Sequence, residues 1–321
     1  MKNKILISIL LILFTILVIV LYGVFIEPKS FKTNEIKINN NYITDAFNGL
    51  KITHITDINY GTTVDEKFLK NIVDEINLLN SDIVVLTGDL LNKEVNYTDD
   101  DYNKIIELLS KINTKLGKYA IKGDNDTSDK WEDIIKKSDF TNLNDSYKLI
   151  FNNDNIPILL SGISSNNSSS DIKEKIIPIE EYIDSLSVKP CYSILLLHEP
   201  DYVDNINVNN YNLILAGHSV GGLNLFGIKR FNLPAGALKY AYGEYKINDS
   251  ILYVSNGLGS NNVKFRIMNK PSINFYRITK WLQLKSFSFF ITWIRYKIFC
   301  WTKFRFCYVI VNNNDSLVIW S

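Results

Sequence analysis

Cysteine is scarce: Cys191, Cys300 and Cys307 are the only three in 321 residues, with no CxxC pair among them. That excludes a disulfide framework or a thiolate zinc site as what holds the fold together. An excess of either charge is also missing, since 35 Lys and Arg meet 34 Asp and Glu for a formal charge of +1. A general nucleic-acid binder needs an excess of basic charge, and the balance of this chain shows none. Internal repeats are absent as well. What is present, 46% hydrophobic and 21% charged residues, is ample for a folded core and far from a disordered composition.

From Ile5 to Ile26 there is no charged residue, between Lys4 and Glu27. Such a run reaches about 33 Å as a helix, enough to cross the hydrocarbon of a bilayer. Its exit, Tyr22-Gly23-Val24-Phe25-Ile26, lacks a small-x-small cleavage site. The segment therefore reads as an uncleaved single-pass anchor and not as a signal peptide. Lys2 and Lys4 compete with Lys29 and Lys32 for orientation. Short amino-terminal tails usually stay cytoplasmic, so the rest of the chain is expected outside the cytoplasm. At the other end, residues 281–321 hold four of the five tryptophans and no Gly, Pro or Ala. Lys285, Arg295, Lys297, Lys303 and Arg305 alternate there with aromatics, a mix that suits an anionic membrane interface and equally a late-packing strand or helix or an extension outside the fold, so its role is left open.

Between these ends, short apolar runs alternate with amphipathic stretches, the pattern of βα units on a mainly parallel sheet. Lys51 to Thr56, Ile83 to Leu86, Lys118 to Lys122, Ile194 to Leu197 and Leu213 to Ala216 read as strands. Thr63-Val64-Asp65-Glu66 has the form of a capping box, and Phe68, Leu69, Ile72, Val73, Ile76 and Leu79 follow at helical spacing. The spacing predicts a helix over Val64 to Leu79, and a second near Asp100 to Ile112. The serine-asparagine run from Ser164 to Ser170 predicts a mobile loop.

Each buried strand ends in a carboxylate or an imidazole: Asp57, Gly88-Asp89, Gly123-Asp124-Asn125-Asp126, His198 and Gly217-His218. In open α/β sheets the carboxyl ends of strands form the ligand crevice, so these groups converge. Crowded carboxylates repel unless a cation neutralises them. Mixed Asp and His ligands suit Mn, Fe or Zn better than Ca. Glycines before Asp89, Asp124 and His218 allow close backbone approach. His54, three residues before Asp57 on the same strand, points to the opposite face and is expected in the core.

At these residues the chain resembles the calcineurin-like metallophosphoesterases, in particular their small membrane-anchored bacterial branch. Asp57-Ile58-Asn59 stands where the family has D-x-H, and Gly88-Asp89 matches its G-D. Gly123 to Asp126 stands for G-N-H-D, His198 for the lone metal histidine, and Gly217 to Gly222 for G-H-x-H-G-G. Tyr253 to Gly259 and Phe265 to Pro271 look like the branch's closing strands. The resemblance implies an α/β fold of two stacked mixed β-sheets flanked by helices, an αββα sandwich preceded by one transmembrane helix. It divides the chain into an anchor (1–28), a linker and lead-in (29–49), a phosphoesterase domain (50–280) and a basic aromatic extension (281–321).

By the same resemblance, Asp89, Asp124, His198 and His218 hold one divalent metal, with Asp124 in place of an Asn. A second metal would need Asp57, Asn59, Asp89 and residue 220, where Asn59 is a weak ligand and Val220 none. Asn125 replaces the histidine thought to protonate the leaving group, and loss of a general acid costs ~10²- to 10⁴-fold. The expected function is hydrolysis of a phosphoester or pyrophosphate by metal-activated water, with Asp89 bridging or positioning the nucleophile. The alternative is an impaired pseudoenzyme that binds a phosphorylated lipid or envelope ligand. Expected partners are the lipid bilayer and a phosphorylated small-molecule or lipid substrate, with no nucleic acid and a monomeric chain.

Overall fold

The computed structural model describes residues 2–280 except 166–168, 226–228 and 262–263. The basic aromatic segment 281–321, with the alternatives read from it, lies outside the described residues. Helix α1 (Lys2–Phe25) is exposed from Asn3 to Tyr22 and is the one described helix long and apolar enough to cross a membrane. A short 3-10 turn, Glu27–Lys29, buries Glu27 and Pro28 against the body of the protein.

Two six-stranded sheets follow. The first takes β1 (Lys32–Asn40), β2 (Leu50–Ile55), β3 (Ile83–Thr87), β4 (Lys118–Ile121) and β5 (Phe140–Asn142). Its helices are α2 (Glu66–Leu79), α3 (Asp99–Ser110) and α4 (Trp131–Lys137). The second begins with β6 (Ser146–Ile150) and β7 (Ile158–Gly162), passes through α5 (Ser169–Ser185), and continues with β8 (Tyr192–Leu196) and β9 (Leu213–Ala216). A small hairpin, β10 (Leu223–Leu225) with β11 (Lys229–Phe231), precedes β12 (Gly243–Ile247) and β13 (Ser250–Val254). Strand β14 (Ser272–Lys280) then returns to the first sheet, whose order is β1-β14-β2-β3-β4-β5. The second sheet runs β12-β13-β9-β8-β7-β6. Both are mixed: β2 to β5 and β7, β8, β9, β13 are parallel, while β14–β2, β6–β7 and β12–β13 pair antiparallel.

The layering follows from the two-residue period of strands. On β3, Val84 and Leu86 face α2 and α3, while Ile83 and Val85 face the second sheet. On β9, Leu213 and Leu215 face the first sheet, while Ile214 and Ala216 join the α5 side. Strands β3 and β9 thus bury apolar residues on both faces, as strands covered on both sides do.

Five local readings change. Helix α2 starts at Glu66, because Val64 is fully buried and its carbonyl accepts the Gly61 N–H at 2.9 Å. The Asp65 carboxylate, not Thr63, caps the helix by accepting Phe68 N–H at 2.8 Å. Segment 29–49 contains β1, nine residues paired in parallel with β14, so it belongs to the sheet. Residues 265–271 form no strand; they are a loop built around the buried Arg266, whose guanidinium donates to main-chain carbonyls of Asn256, Gly259 and Asn269. The serine-rich stretch opens α5 at Ser169, and Ser164 is buried with its hydroxyl on the Asp145 carboxylate.

Candidate metal centre

The strand ends do converge. Asp124, His198 and His218 each offer a ligand atom within 4.8 Å of the others, and Asp57, Asp89 and His198 form a second group of the same kind. The turns that deliver them are tight: Asp57, Asn59, Asp89, His218 and Val220 all have φ between 46° and 64°. Asn, Asp and His tolerate this left-handed region, but for a β-branched valine it is strained. Glycine makes the convergence possible. A Cβ on Gly88 would lie 2.6 Å from the backbone of Gly123 and from His198 Nδ1, and one on Gly123 would meet the Asp89 carboxylate.

Both imidazoles are aimed by carbonyls behind them. His198 Nδ1 lies 2.7 Å from the Thr87 oxygen, and His218 Nε2 lies 2.8 Å from the Ala235 oxygen. A carbonyl only accepts, so these nitrogens carry the protons and donate. The opposite nitrogens, His198 Nε2 and His218 Nδ1, face one another at 3.2 Å. Each also faces Asp124 Oδ1, at 3.2 and 3.1 Å. A metal bonded at about 2.0–2.1 Å places neighbouring ligands about 3.0–3.4 Å apart, so the triad fits one divalent ion. The carbonyl behind each histidine is the usual second support of a metal-binding imidazole.

Asp89 stands between the groups, with Oδ1 3.5 Å from His198 Nε2. Asn125 clamps it, donating from its backbone at 2.9 Å and from its amide at 2.6 Å. Asp57 Oδ2 accepts from Thr56 and from His218 N–H, and its buried Oδ1 has no hydrogen-bond partner. An orphaned carboxylate oxygen in the same cluster is what a cation would satisfy. Asn59 is buried nearby, but its carbonyl oxygen accepts from Asn92 at 2.8 Å and so faces a protein donor. Val220 brings only an apolar side chain to the loop after His218. His54 lies in the core with Nε2 2.7 Å from Thr87 Oγ1, apart from the cluster.

The charges confirm how crowded the site is. Burial, with Asp89 repulsion opposed by the two imidazoles, pushes the Asp57 carboxyl up to about 6. Burial also raises Asp124, but hydrogen bonds from His198 and His218 outweigh it and hold the carboxyl well below its ordinary value. His198 would be lowered by burial, yet Asp89 and Asp124 hold it well above the ordinary imidazole value. One acidic residue, Glu199, escaped the sequence reading, and Asp126 was read only as part of the Gly123 to Asp126 motif. Asp126, raised to about 7 by burial and Asp89, accepts from Gly123 and Leu91 N–H and so shapes the turn carrying Asp124. Glu199 is buried and accepts from Ser165. Its signal was its place directly after His198.

Two β-sheets whose strand ends gather carboxylates and imidazoles at metal-ligand spacing define an α/β sandwich with a candidate metal centre. The calcineurin-like phosphoesterase family matches residues 50–222, more than half of the chain, and the chain belongs to this family. It is 27% identical to the uncharacterized metallophosphoesterase YkuE of Bacillus subtilis, over 80% of this chain and 88% of that one. It is 24% identical to the transmembrane protein with metallophosphoesterase domain of Danio rerio, over 80% of this chain and 59% of that one. The crystal structure of the calcineurin-like phosphoesterase YfkN from Bacillus subtilis aligns with a TM-score of 0.40 and 15% identity, over 65% of this chain and 82% of that chain.

Proposed function

We propose that the protein is a membrane-anchored, metal-dependent hydrolase of phosphoester or pyrophosphate bonds, with its folded domain outside the cytoplasm. The observation that carries this reading is the triad of Asp124, His198 and His218 with facing atoms 3.1–3.2 Å apart and both imidazoles aimed by carbonyls. Asp124, His198, His218 and Asp89 would hold a divalent Mn, Fe or Zn ion. Bound there, the ion supplies Lewis-acid charge for phosphoryl oxygens and lowers the pKa of water. Asp57 and Asp89 provide fixed carboxylates beside it, and Asn125 keeps the Asp89 carboxylate in one orientation. Lys93 Nζ, 3.7 Å from Asp124 Oδ2 at the rim, offers a cation to incoming phosphate. No imidazole stands ready as general acid, which favours substrates with a good leaving group.

A second reading, a pseudoenzyme that binds a phosphorylated ligand without cleaving it, is favoured by the Asn59 amide being engaged with Asn92 and by Val220. One experiment separates them. The full chain in nanodiscs is supplied with Mn, and hydrolysis of an aryl phosphodiester and an aryl monoester is compared with Asp89→Asn. Turnover lost in the variant supports the hydrolase; equal background in both rejects it.

A further inference from the structure

The cavity beside the metal cluster is lined by two residues that also pack on the foot of helix α1. It measures about 160 Å³ and is lined by His218 of the cluster and by Val220, Leu233, Pro234, Phe265 and Arg266. Phe265 and Arg266 also form the junction with α1. Arg266 N–H donates to the Gly23 carbonyl at 2.9 Å, and Gly23 has no room for a side chain because the Phe265 ring packs on it. The Glu27 carboxylate then accepts from the N–H groups of Met268 at 3.1 Å and Asn269 at 2.6 Å. The Asn269 amide donates to the carbonyls of Val220 at 2.8 Å and Gly222 at 2.7 Å, on the loop that follows His218. One wall of the cavity is therefore tied, bond by bond, to the last turn of the anchor.

The lining has two chemistries. Val220, Leu233, Pro234 and Phe265 are apolar. Arg266 is buried, its hydrogen bonds go to carbonyls, and its Nε has no partner; Ser260 Oγ, on another lining residue, has none either. A buried cation and an unpaired hydroxyl next to a metal cluster suit a phosphate. Around the junction, Phe25, Ile26 and Met268 are more than half exposed, as residues dipping into lipid would be. The size sets a limit, since a protein cavity of about 150 Å³ accommodates a benzene-sized guest. A phosphorylated headgroup with its first few carbons fits; complete acyl chains do not.

We infer that this cavity binds the phosphorylated headgroup and proximal carbons of a membrane lipid, whose tails stay in the bilayer beside α1. The inference rests on the phosphate-handling reading above and adds the source of the phosphate. It is tested with the full chain in phosphatidylcholine nanodiscs containing Mn. The probe is lysophosphatidate with a diazirine on an early chain carbon, beside the same diazirine on a monoacylglycerol lacking phosphate. After photolysis the labelled residues are mapped by mass spectrometry. The phosphorylated probe is expected to label the segments around Leu233 and Phe265 about ten-fold more than the neutral one, and Leu233→Ser or Phe265→Ala to lower that labelling several-fold while labelling of α1 is unchanged. Leu233→Ser alone suffices if Phe265→Ala does not fold. Equal labelling by both probes, or labelling confined to α1, overturns the inference.

Turnover of the aryl substrates and of glycerol 3-phosphate is measured in the same samples. Turnover without wall labelling defeats the lipid inference and leaves the hydrolase standing. Wall labelling by the phosphorylated probe without any turnover does the reverse.

Discussion

Binding a divalent ion should stabilise the folded protein by a predictable amount. Asp57 and Asp89 lie in one group with ligand atoms within 4.8 Å, and at an effective dielectric of 20 two such carboxylates repel by about 3 kcal/mol. A cation reverses that term and satisfies the orphaned Asp57 Oδ1. A ligand at 100 times its dissociation constant adds about 2.7 kcal/mol, which for a domain of this size raises Tm by about 5–10 °C. The assay is thermal unfolding of the full chain in nanodiscs, with Mn or Zn against chelator, for wild type and His198→Ala. His198 and His218 have raised values without metal and must shed protons to ligate, so the shift should shrink as pH falls from 8 towards 6. No shift in wild type, or the same shift in His198→Ala, refutes the reasoning.

Other outcomes follow from the same geometry. Gly123→Ala should abolish metal-dependent stabilisation, because a Cβ there would lie 2.8 Å from His198 Cε1 and against Asp89; titration calorimetry with Zn reads it, and unaltered affinity would contradict it. His54, buried and lowered to about 3, stays neutral in the fold while the unfolded chain takes up a proton below 6.5. The unfolded state then binds more protons, so His54 removes about 2 kcal/mol of stability between pH 6.5 and 5. Asp57 and Asp126, both raised, act in the opposite direction, so the measurable quantity is the difference in acid slope between wild type and His54→Gln in denaturant melts. Restoring Asn59→His, Asn125→His and Val220→His together should raise phosphodiester turnover by about 10²-fold or more, and a histidine should also fit the left-handed φ of 48° at residue 220 better than valine. An unchanged rate would place the site elsewhere.

The layered architecture was readable because its central strands carry short continuous apolar runs and its helices carry one stripe. Ile83 to Leu86 and Leu213 to Ala216 could only be strands covered on both faces. The site was readable for a related reason: Asp57, Asp89, His198 and His218 each follow such a run, and topology carries strand ends to one edge. What escaped the sequence depends on pairings that no local pattern encodes, most of them distant along the chain. Val64 pairs back to Tyr60 and shortens α2, a choice no local capping pattern encodes. Lys32 to Asn40 joins the sheet only because β14 arrives some 240 residues later to pair with it. Glu199 belongs to no motif, and only its burial beside His198 brings it into the site. The docking of Glu27 on the 268–269 backbone likewise joins segments 241 residues apart.

The most direct measurement is anomalous diffraction from crystals of the full chain grown with Mn. The account predicts a peak within bonding distance of Asp124, His198 and His218, absent from crystals of His218→Ala. A data set with those three side chains bonded only to one another, or with Mn bound at some other place on the surface, would contradict it.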